Sequence, residues 1–272
     1  MIRSLHQLYS FLHLTKDELD GLLRTVEYLY YPRLNPKKKF GDFQREDDGQ
    51  IKYRDLLIPH YSLKTKQKRI SQLLHNTQFP PYMFGSIRGT NHIMNAQQHL
   101  TQTYFLTVDL FKFFPYISHH HVFNMFRQHG FSADVARILT KLTTYKKSLP
   151  QGAPSSPVIA NLVFLPTAKE LNRFAKENKI TFSCFLDDLS FSSNTCFKKL
   201  TPEILHIIRS NGFCPSNKKI HYRKDCCEIT GLIVRESQLH LITEMKMRAQ
   251  SNLQLKAYVN SIAKINRIST PN

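Results

Sequence analysis

The chain has 272 residues, 41% of them hydrophobic, which excludes a disordered protein and gives enough length to bury a core. Lys and Arg total 38 against 20 Asp and Glu, a formal charge of +18, and this surplus points to a polyanionic partner. The sequence offers no run of about 18 apolar residues to span a membrane and no small-residue cleavage site for a secretory leader; its five cysteines form no CxxC pair, which predicts a reducing, cytoplasmic setting without disulfides or zinc.

Thr15-Lys-Asp-Glu18 is a capping box, and Leu19, Leu22, Leu23, Val26, Leu29 and Tyr30 recur at helical spacing. They predict a helix over 15–30 that Pro32 stops. Residues 33–69 hold eleven Lys or Arg against five Asp or Glu, and 41–50 reads as a polar turn before a strand over 51–58. Helices are expected over 64–75 and 91–99. The β-rich run 103–108 leads straight into Asp109. Ser118 caps a helix through His129, with Gly130 after it, and another helix covers 134–142. A Gly, Pro and Ser loop at 150–157 precedes a helix over 158–178, perturbed at Pro166. Runs 180–186 and 189–193 are separated only by Asp187-Asp188 and read as a hairpin with both carboxylates at its tip. A helix over 202–211 ends at Gly212, a further hairpin pairs 228–234 with 238–243, and 244–264 reads as a basic helix. The regular alternation of a doubly wound sheet is missing, so the class is α+β.

A strand ending in Asp109 and a hairpin carrying Asp187 and Asp188 would bring three carboxylates to one sheet edge. Such a group repels itself unless cations sit between its members. Mg²⁺, a hard ion that takes carboxylate and phosphate oxygens, suits it, and two such ions would serve nucleotidyl transfer. Taken alone, Asp187-Asp188 reads simply as a polar turn. His119-His120-His121 points in three directions and reads as a solvated helix start or a phosphate contact rather than a metal site. Cys226 and Cys227 read as packing residues.

Several segments together resemble the retron-type bacterial reverse transcriptases. Thr107-Val-Asp109-Leu-Phe-Lys-Phe-Phe114 is similar to that family's first catalytic motif, Leu149-Pro-Gln-Gly-Ala-Pro-Ser-Ser-Pro157 to its second, and Phe185-Leu-Asp-Asp-Leu189 to its third. Asn217-Lys-Lys219 resembles the fourth and Glu228-Ile-Thr-Gly-Leu232 the primer grip. Asn95-Ala-Gln-Gln-His99 and Ile229-Thr230-Gly231 resemble two elements specific to retrons. The likeness runs over about residues 15–250 in the family's order.

The resemblance implies a right-hand polymerase: fingers over 1–100, palm over 101–234 with an antiparallel sheet packed on helices, and a reduced helical thumb over 235–272. It implies that Asp109, Asp187 and Asp188 bind two Mg²⁺ ions. Phe114 would be the steric gate against a 2′-hydroxyl, and Arg54 a triphosphate contact for which a guanidinium fork is suited. Gln151 and Gly152 would shape the nucleotide pocket. Lys218 or Lys219 would protonate the leaving pyrophosphate. Asn95, His99, Ile229, Thr230 and Gly231 would bind RNA. Read from the residues alone, Arg54 is also a plain surface charge, Phe114 a core ring, and Asn95 with His99 an i,i+4 polar pair of the interior.

The implied partners are a cognate structured RNA as template and primer, deoxynucleotides, an RNA–DNA hybrid product and an effector protein in phage defence, with no membrane. Two rivals remain: another defence reverse transcriptase with protein-primed or untemplated synthesis, and a degenerate polymerase that only holds RNA. Phe185 and Leu186 depart from the Tyr and small residue usual in the third motif. The 38 residues after Val234 carry six Lys or Arg against two Glu, a basic but short thumb. That predicts weak processivity, or completion of the thumb by RNA or another protein.

Overall fold

The computed structural model describes every residue except 1, 40, 41, 47, 242–244, 246, 248–252 and 270–272. In chain order its elements are α1 (Leu5–Leu12), α2 (Lys16–Thr25), β1 (Tyr30–Pro36), β2 (Lys38–Lys39), β3 (Asp42–Phe43), β4 (Tyr53–Pro59), α3 (Tyr61–Leu74), α4 (His92–Gln97), β5 (Tyr104–Leu110), α5 (Phe113–Tyr116), α6 (His119–Gln128), α7 (Ala133–Thr143), α8 (Ser156–Glu177), β6 (Thr181–Phe185), β7 (Asp188–Ser193), α9 (Thr201–Ser210), β8 (Pro215–Lys224), β9 (Cys226–Ile229), β10 (Leu232–Arg235), β11 (Gln238–His240) and α10 (Leu253–Ser269). They fall into two compact units, 1–78 with 112–164, and 79–111 with 165–272. No helix among the described residues is long and apolar enough to cross a membrane.

The first unit is a helical cluster with a two-stranded sheet. α1 starts at a capping box made by Ser4 and Gln7, and it buries Leu8 and Leu12. Those side chains share the unit's buried set with Leu63, Ile70 and Leu74 of α3 and Val135 and Leu139 of α7. Gln67, buried on α3, donates to Tyr30 Oη at 2.7 Å and to the Leu142 carbonyl at 2.8 Å. The expected helix over 15–30 ends early. A 3₁₀ turn at Val26–Leu29 leads into β1, where Pro32 faces Leu57 instead of stopping a helix. Among the described residues β1 pairs with β4, and at the Pro32–Leu57 pair the Leu57 N–H turns away to the Gln151 carbonyl, so the ladder does not call on the missing N–H of Pro32.

The second unit is built on a four-stranded antiparallel sheet in the order β6-β7-β5-β8. Leu106, Val108, Phe182, Leu189 and Phe191 bury one of its faces, with Ile204 and Ile208 of α9 also in the core. β8 is absent from the sequence expectations. Lys218, Lys219, His221, Arg223 and Lys224 are exposed along it, so only Ile220 and Tyr222 carry a strand signal. A second sheet has the order β11-β10-β9. The run 228–234, expected as one strand, breaks at Thr230 and Gly231, which sit at φ 46° and 85° and return the chain on itself. Ile262 of α10 packs into the cluster under this sheet with Ile229, Leu232, Val234 and Leu239. Part of the expected helix 244–264 and the end of the expected strand 238–243 lie outside the described residues.

Candidate active site

Asp109 stands near the end of β5, and Asp188 opens β7 directly opposite it in the ladder. Cross-strand partners present their side chains on the same face, so the register itself brings these two carboxylates together. Asp187 occupies the two-residue turn between β6 and β7, and its carbonyl accepts from the Leu110 N–H at 2.9 Å. Leu186 makes this tight turn possible by adopting φ 57°. Asp109 is largely covered, Asp187 half-buried and Asp188 exposed.

Facing carboxylates repel, and the protein answers with a cation of its own. Lys219 Nζ donates to Asp109 Oδ1 at 2.7 Å. The β5–β8 register shifts between Val108 and Leu110, next to this contact. Lys218, the preceding residue, is exposed in the same irregular stretch of β8. Of the two lysines weighed for the pyrophosphate, Lys219 is the one in contact with the carboxylate.

The donors here are all carboxylate oxygens, the chemistry a hard divalent ion selects. The ammonium of Lys219 marks Asp109 as a place where positive charge is already held. In this state the three carboxylates are not drawn into one ligand group: among the described residues no cluster of three His, Cys, Asp or Glu is placed to hold a metal.

The expected nucleotide residues Arg54, Phe114, Gln151 and Gly152 all belong to the first unit. The Gln151 carbonyl accepts from the Leu57 N–H of β4 at 2.8 Å. Gly152 sits at φ 119°, and a Cβ there would lie 3.1 Å from Ile58 Cδ1 and 3.3 Å from Leu56 Cβ. Residues 54, 56 and 58 alternate onto one face of β4, and Arg54 is exposed on it. Phe114 is half-buried on the one-turn helix α5. Its ring meets Phe113 at 5.6 Å, and buried Phe113 packs edge-on against Phe164 at 5.8 Å.

The two elements expected to bind RNA meet each other in the second unit. Asn95 is fully buried, with Nδ2 3.4 Å from Thr230 Oγ1, while Thr230 Oγ1 donates to the His92 carbonyl at 3.0 Å. His99 is also fully buried, between Ser192 Oγ at 2.6 Å from Nδ1 and Ser183 Oγ at 2.8 Å from Nε2. Burial pushes its imidazole pKa down to about 3, so the ring is neutral. Ile229 is buried as well. Asn95, His99 and Ile229 are thus interior side chains in this fold, and Thr230 and Gly231 are the half-exposed members of the group.

Residues 36–234 match the family described as reverse transcriptase (RNA-dependent DNA polymerase). The chain belongs to the reverse transcriptase family. It is 27% identical over 244 residues to the retron Ec86 reverse transcriptase of Escherichia coli, covering 88% of this chain and 73% of that protein. It is 30% identical over 195 residues to the retron Se72 reverse transcriptase of Salmonella heidelberg, covering 71% of this chain and 49% of that one. The chain thus spans most of one relative and about half of the other. The fold is shared with telomerase from Candida albicans, at a TM-score of 0.56 and 10% identity over 76% of this chain and 45% of that one.

Sequence reasoning about this reverse transcriptase missed Gly85. The segment 79–90 carries no periodicity and no chemical motif. Only the folded chain brings it beside the turn at Leu186.

Proposed function

We propose that this reverse transcriptase copies a cognate structured RNA into DNA, with that RNA as template and primer and a branched RNA–DNA product. The setting in this reading is the bacterial cytoplasm, in phage defence with an effector protein. The observation that carries the polymerase chemistry is the register pair Asp109–Asp188, with Asp187 in the adjoining turn and Lys219 on Asp109. The names of the retron relatives support the RNA.

In this reading Asp109, Asp187 and Asp188 hold Mg²⁺. When bound, the metal supplies positive charge against the attacking and leaving oxygens. Arg54 clamps the triphosphate through a two-pronged guanidinium contact. Gln151 and Gly152 shape the nucleotide pocket, and Phe114 rejects a ribose 2′-hydroxyl by bulk. Lys219, released from Asp109, gives a proton to the departing pyrophosphate. Thr230 and Gly231 meet the RNA. Fingers, palm and thumb are assigned to 1–100, 101–234 and 235–272.

The deciding experiment purifies the protein from its own locus beside an Asp187→Ala/Asp188→Ala twin and sequences the nucleic acid carried by each. DNA covalently joined to one defined RNA, absent from the twin, is the expected result. RNA alone in both preparations would mean a binding protein. DNA without attached RNA would mean a protein-primed or untemplated polymerase.

A further inference from the structure

The geometry points to Gly85 as a positioning residue that seats the turn carrying Asp187. This inference rests on the reading that Asp109, Asp187 and Asp188 hold the metal.

The segment before Gly85 is fastened to the free edge of the four-stranded sheet. The Cys184 N–H donates to the Tyr82 carbonyl at 2.8 Å, and the Phe84 N–H donates to the Cys184 carbonyl at 2.9 Å. These bonds form a parallel bridge between Met83 and Cys184, and Met83 and Phe84 are both buried. On the far side Thr90 Oγ1 donates to the Phe84 carbonyl, closing the loop that follows. The backbone at residue 85 is therefore held from both directions before it reaches the turn.

At that point the turn lies directly on it. A Cβ on Gly85 would sit 2.6 Å from Leu186 N, 2.8 Å from the Phe185 carbonyl carbon and 2.8 Å from Leu186 Cγ. Two of those atoms are backbone, so no rotamer change makes room. Gly85 is not among the residues at positive φ. What the position requires of glycine is the close approach, not an unusual backbone angle. Leu186, in contrast, is held at φ 57°, a conformation leucine disfavours. A turn of that kind keeps its shape only where its surroundings over-determine it. The strip of backbone at Gly85 supplies such a support, against both the main chain and the side chain of Leu186. Asp187 is the next residue, and Asp188 the one after, so the seat fixes where both carboxylates stand.

The test measures Mn²⁺ binding to the nucleotide-free protein by electron paramagnetic resonance, alongside steady-state primer extension. Gly85→Ala is expected to bind Mn²⁺ about tenfold more weakly, the scale on which groups behind a metal ligand act. Its kcat should fall while the KM for deoxynucleotide holds. Gly89→Ala is the matched control: Gly89 needs φ 77° but has nothing within 4 Å of a Cβ, so alanine there strains the same loop without touching the turn. It should bind Mn²⁺ as the unaltered protein does. Leu186→Gly decides the case if Gly85→Ala does not fold, because glycine accepts the turn's φ while losing the side-chain half of the seat. It too should weaken Mn²⁺ binding. Unchanged Mn²⁺ affinity in folded Gly85→Ala, or in Leu186→Gly where that variant decides, overturns the proposal. If Asp187→Ala/Asp188→Ala also binds Mn²⁺ normally, the metal reading falls and takes the proposal with it. If that variant loses the ion while Gly85→Ala keeps it, only the role of Gly85 is lost.

Discussion

Lys219 Nζ lies 2.7 Å from Asp109 Oδ1, so the first carboxylate of the site is paired with an ammonium in the free protein. A divalent ion that uses this oxygen meets the lysine as a competitor. Lys219→Met therefore has two expected effects of opposite sense. Mn²⁺ should bind the nucleotide-free variant more tightly, because no ammonium competes for Asp109. Primer extension should slow by about a hundredfold in kcat if the lysine also serves as the general acid. Titration by paramagnetic resonance and single-turnover kinetics separate the two. Weaker Mn²⁺ binding would show that Lys219 supports the site instead of competing for it.

His99 gives a prediction about acid. Its folded pKa is depressed to about 3 by burial, while in the unfolded chain it titrates as an ordinary histidine. The unfolded state then binds the extra proton below about pH 6.5, so stability is complete above that pH and declines as pH falls toward 3. Between pH 7.5 and 5 this one group should remove about 2 kcal/mol. Urea midpoints should show the loss in the unaltered protein. His99→Asn should start less stable by about 1–3 kcal/mol, since Ser183 and Ser192 lose a well-placed partner. It should nevertheless decline less on acidification. Equal acid losses in the two proteins would exclude His99 as their source.

The polymerase site was partly written in the sequence because its chemistry is local. Asp109 at the end of an apolar β run and Asp187-Asp188 between two others already imply a strand and a hairpin meeting at their carboxylates. The basic strand β8 was hidden because Lys218, Lys219, His221, Arg223 and Lys224 face solvent and mask the alternation. Asn95 and His99 were legible as an i,i+4 pair, but not the direction they face. Their partners Thr230, Ser183 and Ser192 come from strands far along the chain. Gly85 was illegible for the same reason: its constraint is set by residue 186. Pro32 misled because a proline after a helical pattern usually stops it, whereas here the chain had already left the helix for β1.

Phe114 is braced edge-on by Phe113, which is itself fixed against Phe164. A ring held in this way can exclude by shape. Phe114→Ala should raise ribonucleotide incorporation relative to deoxynucleotide by about tenfold or more, the scale of a pocket contact. Phe113→Ala should cost stability first, because Phe113 is the buried ring. Matched primer extensions with both nucleotide pools read the ratio. An unchanged ratio in Phe114→Ala removes this residue from the gate.

The turn Tyr145–Ser148 holds two lysines in the left-handed region, Lys146 at φ 43° and Lys147 at φ 66°. Its ends exchange both backbone hydrogen bonds, at 2.8 and 3.0 Å, so it is a two-residue hairpin turn of the kind that favours Asn-Gly. Lys146→Asn/Lys147→Gly should raise stability by about 1 kcal/mol, visible as a Tm higher by a few degrees. A lower Tm would mean that the lysine side chains stabilise the turn by more than their backbone strain costs.

Asn266 on α10 grips one residue of the neighbouring sheet edge from both sides. Its Oδ1 accepts from the Leu239 N–H at 2.9 Å, and its Nδ2 donates to the Leu239 carbonyl at 2.9 Å. The amide thus completes the ladder of β11, an edge strand that would otherwise leave both groups to water. Ile262, one helical turn earlier, is buried in the cluster beneath the same sheet, so the two contacts dock α10 together. Asn266→Ala removes both bonds and should cost about 1–3 kcal/mol. Asn266→Asp keeps the acceptor but turns a second oxygen toward the Leu239 carbonyl, and it should be at least as damaging despite its matching size. If docking of α10 supports the grip on nucleic acid, both variants should also make shorter products at equal primer use. Hydrogen exchange at the Leu239 amide reports the docking directly. Slow exchange there in Asn266→Ala would show that the helix stays in place without its clamp.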